Sequence, residues 1–449
     1  MKAILTDTAR RAARYLESLK SRSIVPTQAA VDALAQLDEP LPEHPSEPEQ
    51  VLATLDDIGS PAALNMAGPR FFGFVVGGTL PATVAANWMA TAWDQSASLY
   101  NVTPGVAHIE KVAMDWLIEL LGFPQQCGGA LVTGATVANF CALAAARNKV
   151  LRQAGWDVEA DGLFGAPPIT VITGEEVHPS ALKALGMLGL GRNRIIRVAA
   201  DQQGRMRADQ LPAIKGPTII CTQAGNVNTG AFDPVGDICE QAQSSNAWIH
   251  VDAAFGLWVA GVPSLQHLCP GLALADSWAT DGHKMLNVPY DCGVTLVKDP
   301  DALRRAMAIT AHYLPTHSDQ RNPADYTPEL SRRARGVEVW AALKSLGRSG
   351  LVDMVERMCR HARLFAQELT EAGFTVLNEV HYNQVLVSFG TPEKTLKVID
   401  AVQAEGTCWV GSTVWQDHTA MRISTCNWAT TDEDVLASAA AIKRCASDV

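Results

Sequence analysis

Between about residues 128 and 297, short apolar β-type runs alternate with segments of helical period, and nothing else in the chain restricts its fold as much. The runs fall at 130–132, 169–173, 195–198, 218–223, 247–252 and 293–297, with helical spacing at 137–151, 180–188 and 234–244. Apolar strands separated by helices need cover on both faces. The expected core is therefore an α/β fold with a mainly parallel central sheet and helices on each side. In such sheets ligands sit beyond the carboxyl ends of the strands. Asp252, residues 133–136 and His178 all fall at strand ends, so one pocket can collect them.

The flanking segments read differently. Leu5, Ala9, Ala12, Leu16 and Leu19 follow helical spacing, interleaved with Arg10, Arg11, Arg14 and Lys20, which is not the pattern of a signal peptide. An acidic, proline-rich stretch at 38–49 reads as an extended linker. Residues 71–93 carry no charge and are nominally long enough to span a bilayer. Gly73, Gly77, Gly78, Thr79, Pro81 and Asn87 make them a poor continuous helix, so buried core or subunit interface is expected instead of a membrane span. Past 336 come long helices at 336–346 and 350–372, strands near 374–377, 384–389, 409–415 and 421–424, and a helix from 432. The expected division is an N-terminal helical segment with linker (1–90), a large α/β domain (91–335) and a smaller C-terminal α+β domain (336–449).

Composition excludes some classes. A net charge of −11 over 449 residues, without clustered Lys and Arg, argues against a nucleic-acid surface. The 10 cysteines are scattered with no C-x-x-C pair, so neither a metal site nor a disulfide framework is signalled. They read as small buried hydrophobes of a reducing, cytoplasmic setting.

Two residues carry the chemistry. Lys284 lies in Asp281-Gly282-His283-Lys284-Met285, and Asp252 ends the strand Ile249-His250-Val251-Asp252 before Ala253-Ala254. A lysine that forms a Schiff base and an aspartate facing a pyridinium nitrogen are the two groups that pyridoxal phosphate demands. Each has an ordinary alternative, a surface lysine and an aspartate capping a turn. Gly134-Ala135-Thr136, between strand and helix, suits a phosphate at a helix start and equally suits a plain turn with a threonine cap. His178 offers a flat ring for stacking, or is simply a hydrogen-bonded histidine.

Taken in order, these pieces resemble the group II pyridoxal phosphate-dependent amino-acid decarboxylases, which include aromatic amino-acid, glutamate and histidine decarboxylases. The likeness runs from about residue 68 to 431 and is strongest in Val132-Thr133-Gly134-Ala135-Thr136-Val137-Ala138-Asn139, in residues 250–254, and in Asp281-Gly282-His283-Lys284 with Tyr290-Asp291-Cys292. The resemblance implies a fold-type I enzyme, a homodimer with shared active sites, acting on a small-molecule amino acid to give an amine and CO₂. It implies Lys284 as the Schiff-base lysine, Asp252 at the pyridinium, His178 stacked on the ring and Ala254 packed beneath it. Ala135, Thr136 and His283 hold the phosphate, and Asn226 and Asn228 occupy a stretch near the cofactor. Tyr313 matches the mobile-loop tyrosine that returns a proton after CO₂ leaves. A loop-anchoring role is the alternative for Tyr313, and Tyr326 competes with it.

Arg422 sits where many fold-type I aminotransferases clamp a substrate carboxylate, which suits transamination better than decarboxylation. Aldol-type cleavage, transamination and a non-catalytic binding role are therefore the rival expectations. Val75, Ser98 and Met285 stand where aromatic-substrate enzymes carry bulky rings, which argues against an aromatic substrate. Arg70 or His108 can serve an acidic or polar side chain, or an interface.

Overall fold

The computed structural model describes residues 1–308 and 320–449, arranged in two compact units. The central unit comprises Thr79–Arg363 and Asn378–Val385; the terminal unit comprises Met1–Gly78, Leu364–Leu377 and Leu386–Val449. The N-terminal segment thus clusters with the C-terminal one, and a boundary falls inside the helix Gly336–Glu371, whose backbone breaks at Gly347 (φ 60°).

The central unit is built on seven strands: β1 (Gly128–Val132), β2 (Thr170–Gly174), β3 (Ile196–Val198), β4 (Thr218–Gln223), β5 (Trp248–Asp252), β6 (Ser277–Asp281) and β7 (Gly293–Val297). Their order is β1-β7-β6-β5-β4-β2-β3. Pairings from β3 through β6 are parallel, and β7 runs antiparallel to both β6 and β1. β4 to β7 are buried along their whole length, as strands covered on both faces must be. The helix Ala135–Gln153 contributes Ala138, Ala144 and Ala145 to a core shared with Val132, Ile219, Trp248 and Ala279. Small side chains let it lie close to the sheet, and that fixes where its first turn points.

Register sets the site. Gln223 pairs with Asp252 and Asp252 with Ala279, so the carboxyl ends of β4, β5 and β6 lie side by side. The loop after β1 comes equally close: a Cβ on Gly293 would lie 2.4 Å from the Gly134 carbonyl carbon. Only glycine at Gly293 lets the start of the helix Ala135–Gln153 sit against the sheet edge.

In the expected charge-free stretch a helix does form, over Pro81–Trp93, with proline at its first position and Asp94 left-handed at its end. A further helix, Pro104–Leu120, buries Val106, Ala107, Ala113, Met114, Leu117 and Ile118, a helical spacing the strand-led reading passed over. Its Glu110 is wholly buried and pairs with Arg332 at 2.8 Å.

Within the terminal unit the first helix, Lys2–Ser18, is tied to residue 56 through Arg11–Asp56 at 2.8 Å. Residues 38–47 are without regular structure, as a linker should be, and a helix begins at Pro48. Strands β8 (Thr375–Val376), β9 (Gln384–Ser388), β10 (Gly411–Trp415) and β11 (His418–Ser424) form a second sheet in the order β10-β11-β9-β8. Phe72 donates its N–H to the Trp409 carbonyl at 2.9 Å, and Phe71 stacks on Trp409 at 5.0 Å. None of the ten cysteines is in a disulfide, and all but Cys239 are buried. Among the described residues no helix is long and apolar enough to cross a membrane.

Candidate active site

Asp252 is the last residue of β5 and is 4% exposed. Its carboxylate meets three donors: Asn139 Nδ2 at 3.0 Å, the Ser180 hydroxyl at 3.4 Å and the Ala254 N–H at 3.3 Å. All three are neutral, and among the described residues no cation pairs with it. A buried carboxylate without a counter-charge is costly. A protonated heteroaromatic nitrogen is the kind of group that completes such a site, so these residues fit a pyridine ring.

Lys284 follows β6, the strand beside β5. Its Nζ lies 3.1 Å from Asp281 Oδ2 and 5.8 Å from the centre of the Phe255 ring. Ala254 is stitched to the same strand, its carbonyl accepting from the Asp281 N–H at 2.9 Å. Asp252, Ala254 and Lys284 are thereby held on neighbouring strand ends.

Asp281 was not singled out from sequence, yet it joins the expected phosphate residues. Its Oδ1 accepts from the Ala135 N–H at 2.6 Å and lies 3.5 Å from His283 Nε2. The Ala135 N–H is thus already engaged; Thr136 beside it is half-buried and His283 is buried. His283 Nδ1 accepts from the Cys292 N–H at 3.1 Å, so its proton sits on Nε2. Burial lowers its pKa, opposed by Asp281, and keeps the ring a neutral donor. Tyr290 stacks on it at 4.3 Å.

His178 caps the helix Pro179–Met187, accepting from the Ser180 N–H at 3.2 Å through Nδ1. The same nitrogen lies 2.7 Å from the Ser180 hydroxyl. An imidazole held this way has a fixed plane, as a stacking residue needs.

The asparagines divide. Asn226 Oδ1 accepts from the N–H groups of Asn228 (2.8 Å) and Thr229 (3.2 Å), so Asn226 folds the turn after β4. Asn228 is buried in that turn. Tyr313 lies outside the described residues. Its competitor Tyr326 packs against the central core under Arg321, 4.4 Å away, which is the environment of a structural tyrosine.

Among the remaining candidates, Ser98 and Met285 are buried in the central unit and His108 is exposed. Val75, Arg70 and Arg422 belong to the terminal unit. Arg70 donates to Asp434 at 2.8 Å, so its charge is already matched. Arg422 lies on β11 opposite Gly411, and burial lowers its pKa.

Known families bear on this geometry. The pyridoxal-dependent decarboxylase conserved domain matches residues 31–391. The chain belongs to the pyridoxal-dependent decarboxylase family. Its cofactor is accordingly pyridoxal phosphate, which the donor set around Asp252, Lys284 and His283 suits.

Among curated members of the family, the acidic amino acid decarboxylase GADL1 of Mus musculus is 31% identical over 71% of this chain. The chain spans only 59% of that relative's length. The aromatic-L-amino-acid decarboxylase of Bacillus atrophaeus is 25% identical over 97% of the chain and 93% of its own length. The fold matches the crystal structure of mouse CSAD with a TM-score of 0.92 at 22% identity, covering 100% of this chain and 99% of that one. Oryza sativa TDC with PLP and tryptamine matches at 0.91 and 21%, covering 100% and 97%. These likenesses carry the fold-type I architecture that the resemblance implies, built on the mainly parallel sheet expected from the strand pattern.

Proposed function

We propose that the protein is a carboxy-lyase that removes the α-carboxylate of an L-amino acid as CO₂ and leaves the amine. The observation that carries this is the pairing of a buried, cation-less Asp252 with Lys284 on adjacent strand ends. Bound pyridoxal phosphate supplies an electron sink for the bond that loses CO₂. Lys284 would hold the cofactor through its amine. Asp252 would keep the ring nitrogen protonated, and the small Ala254 would leave room for the ring. His178, its imidazole held by Ser180, would stack on the ring. Thr136, His283 and the Ala135 turn hold the phosphate, with Asn226 and Asn228 shaping the neighbouring loop. Tyr313 or Lys284 returns the proton to the carbon.

For substrate class we favour an acidic side chain over an aromatic one. Two things support it: non-aromatic Val75, Ser98 and Met285, and the GADL1 relatives named for acidic amino acids. Holoenzyme incubated with a panel of acidic and aromatic amino acids is expected to release CO₂ from an acidic member, with the matching amine as product. A keto acid in place of an amine turns the reading to transamination; CO₂ from aromatic members alone overturns the substrate class.

The working form we propose is a homodimer whose two copies share their active sites. The helix Pro81–Trp93 supports this, because it carries no charge and leaves Trp88 45%, Met89 54% and Trp93 42% exposed. Contiguous large apolar side chains of this kind mark association surfaces. Sedimentation should give a dimer for the parent, and Trp88→Asp with Met89→Asp should shift it to monomer. A monomeric parent sinks the proposal. We also propose a cytoplasmic location, which ten scattered cysteines, nine of them buried, support.

A further inference from the structure

We infer that a directed chain of hydrogen bonds, Trp248–Ser277–His250–Asn139, stands behind Asp252, every proton in it pointing toward the carboxylate, so that these four are positioning residues for the cofactor's counter-charge. The inference rests on the reading of Asp252 given above.

The distances are continuous. Trp248 Nε1 donates to Ser277 Oγ at 2.7 Å, Ser277 Oγ and His250 Nδ1 are 2.9 Å apart, His250 Nε2 and Asn139 Oδ1 are 2.8 Å apart, and Asn139 Nδ2 donates to Asp252 Oδ2 at 3.0 Å. Ser277, His250 and Asn139 are wholly buried and Trp248 is 3% exposed, so no bulk water competes along the chain.

Chemistry fixes the direction of each link. An indole N–H only donates, so Ser277 Oγ accepts from Trp248 and its own proton is free for His250 Nδ1. Burial drives the imidazole pKa down to about 3, so the ring is neutral and carries one proton. With Nδ1 accepting, that proton is on Nε2, and it needs an acceptor. This orients the Asn139 amide, with Oδ1 toward His250 and the NH₂ toward Asp252. The opposite tautomer fails at the asparagine. It would set the Nε2 lone pair against Asn139 Oδ1, or, with the amide turned over, Asn139 Oδ1 against the carboxylate. In a buried network either like-with-like contact is expensive.

The consequence is local. Oδ2 of Asp252 is held by Asn139 from the core side, and Oδ1 faces the Ala254 N–H over a longer 3.3 Å. Ser180 adds less: its hydroxyl lies 3.4 Å from Oδ2, farther than the Asn139 amide at 3.0 Å, and also lies 2.7 Å from His178 Nδ1. The chain through His250 therefore sets the carboxylate's plane, and the plane decides which lone pair meets a ring nitrogen.

The test uses ¹⁵N-imidazole NMR on the whole protein, with and without pyridoxal phosphate, the His250 signal being assigned by its loss in His250→Asn. The expected result is a neutral Nε2–H tautomer that does not titrate between about pH 5.5 and 8.5. An Nδ1–H tautomer, or an imidazolium forming in that range, overturns the inference even if the cofactor binds as proposed. Asn139→Leu should lower kcat per bound cofactor by about tenfold to a hundredfold, as loss of an orienting partner does, with KM little changed. Ser277→Thr should restore the cofactor dissociation rate that Ser277→Ala raises. If Asn139→Leu leaves kcat per bound cofactor intact, the chain is only structural. If the tautomer is as stated but Asp252→Asn changes neither cofactor affinity nor its absorbance, the reading of Asp252 fails, and the positioning role fails with it.

Discussion

Lys284→Ala protein is expected to lose the visible absorbance of covalently held cofactor and to fall in kcat by about 10⁴-fold, the upper end of what a positioned acid–base group contributes. The geometry makes this test clean. Lys284 is only 3.1 Å from Asp281, but Asp281 keeps its second anchor on the Ala135 N–H, so the strand end and the phosphate turn should hold their shape. Circular dichroism and melting should therefore stay near those of the parent while turnover vanishes. A spectrum matching the parent's in the alanine variant would assign the amine elsewhere.

Asp252→Ala should leave phosphate-side binding in place and reduce kcat per bound cofactor by roughly 10²- to 10³-fold, as removal of one preorganised charged partner does. Affinity should fall by less than turnover, because Thr136 and His283 do not depend on the carboxylate. Equilibrium dialysis with single-turnover kinetics separates the two. Turnover like the parent's, at full cofactor loading, would sink the role given to Asp252. The two variants also differ in kind, since Lys284→Ala removes the covalent link and Asp252→Ala removes only a charge.

Most of the sheet could be read from the chain because its strands are continuous apolar runs: β4 and β7 fall on the expected residues, and β1, β2, β3 and β5 differ at their ends. What could not be read depends on contacts distant in sequence. Residues 70–72 meet residue 409 through backbone hydrogen bonds, and no local period announces such a pairing. The site was legible where a residue's chemistry is unusual for its place, as with Asp252 and Lys284. It was less so where residues act on other residues. Asp281, Asn139 and Ser277 look ordinary in the sequence and gain meaning only from partners more than a hundred residues away, or on the next strand. His250 did leave a signal. It lies two positions before Asp252, and on a strand alternate residues share a face. Tyr326, the competitor to Tyr313, is a partly buried ring against the central core, a packing that its polar stretch of sequence does not announce.

The neutrality of the donors that touch Asp252 among the described residues has a thermodynamic corollary. Sequestering a lone negative charge from solvent taxes the folded state whenever the vitamin-derived ligand is missing, so loading and conformational robustness are coupled. An amide at that position would relieve the strain and yield a sturdier but idle polypeptide, a familiar exchange of resilience for reactivity.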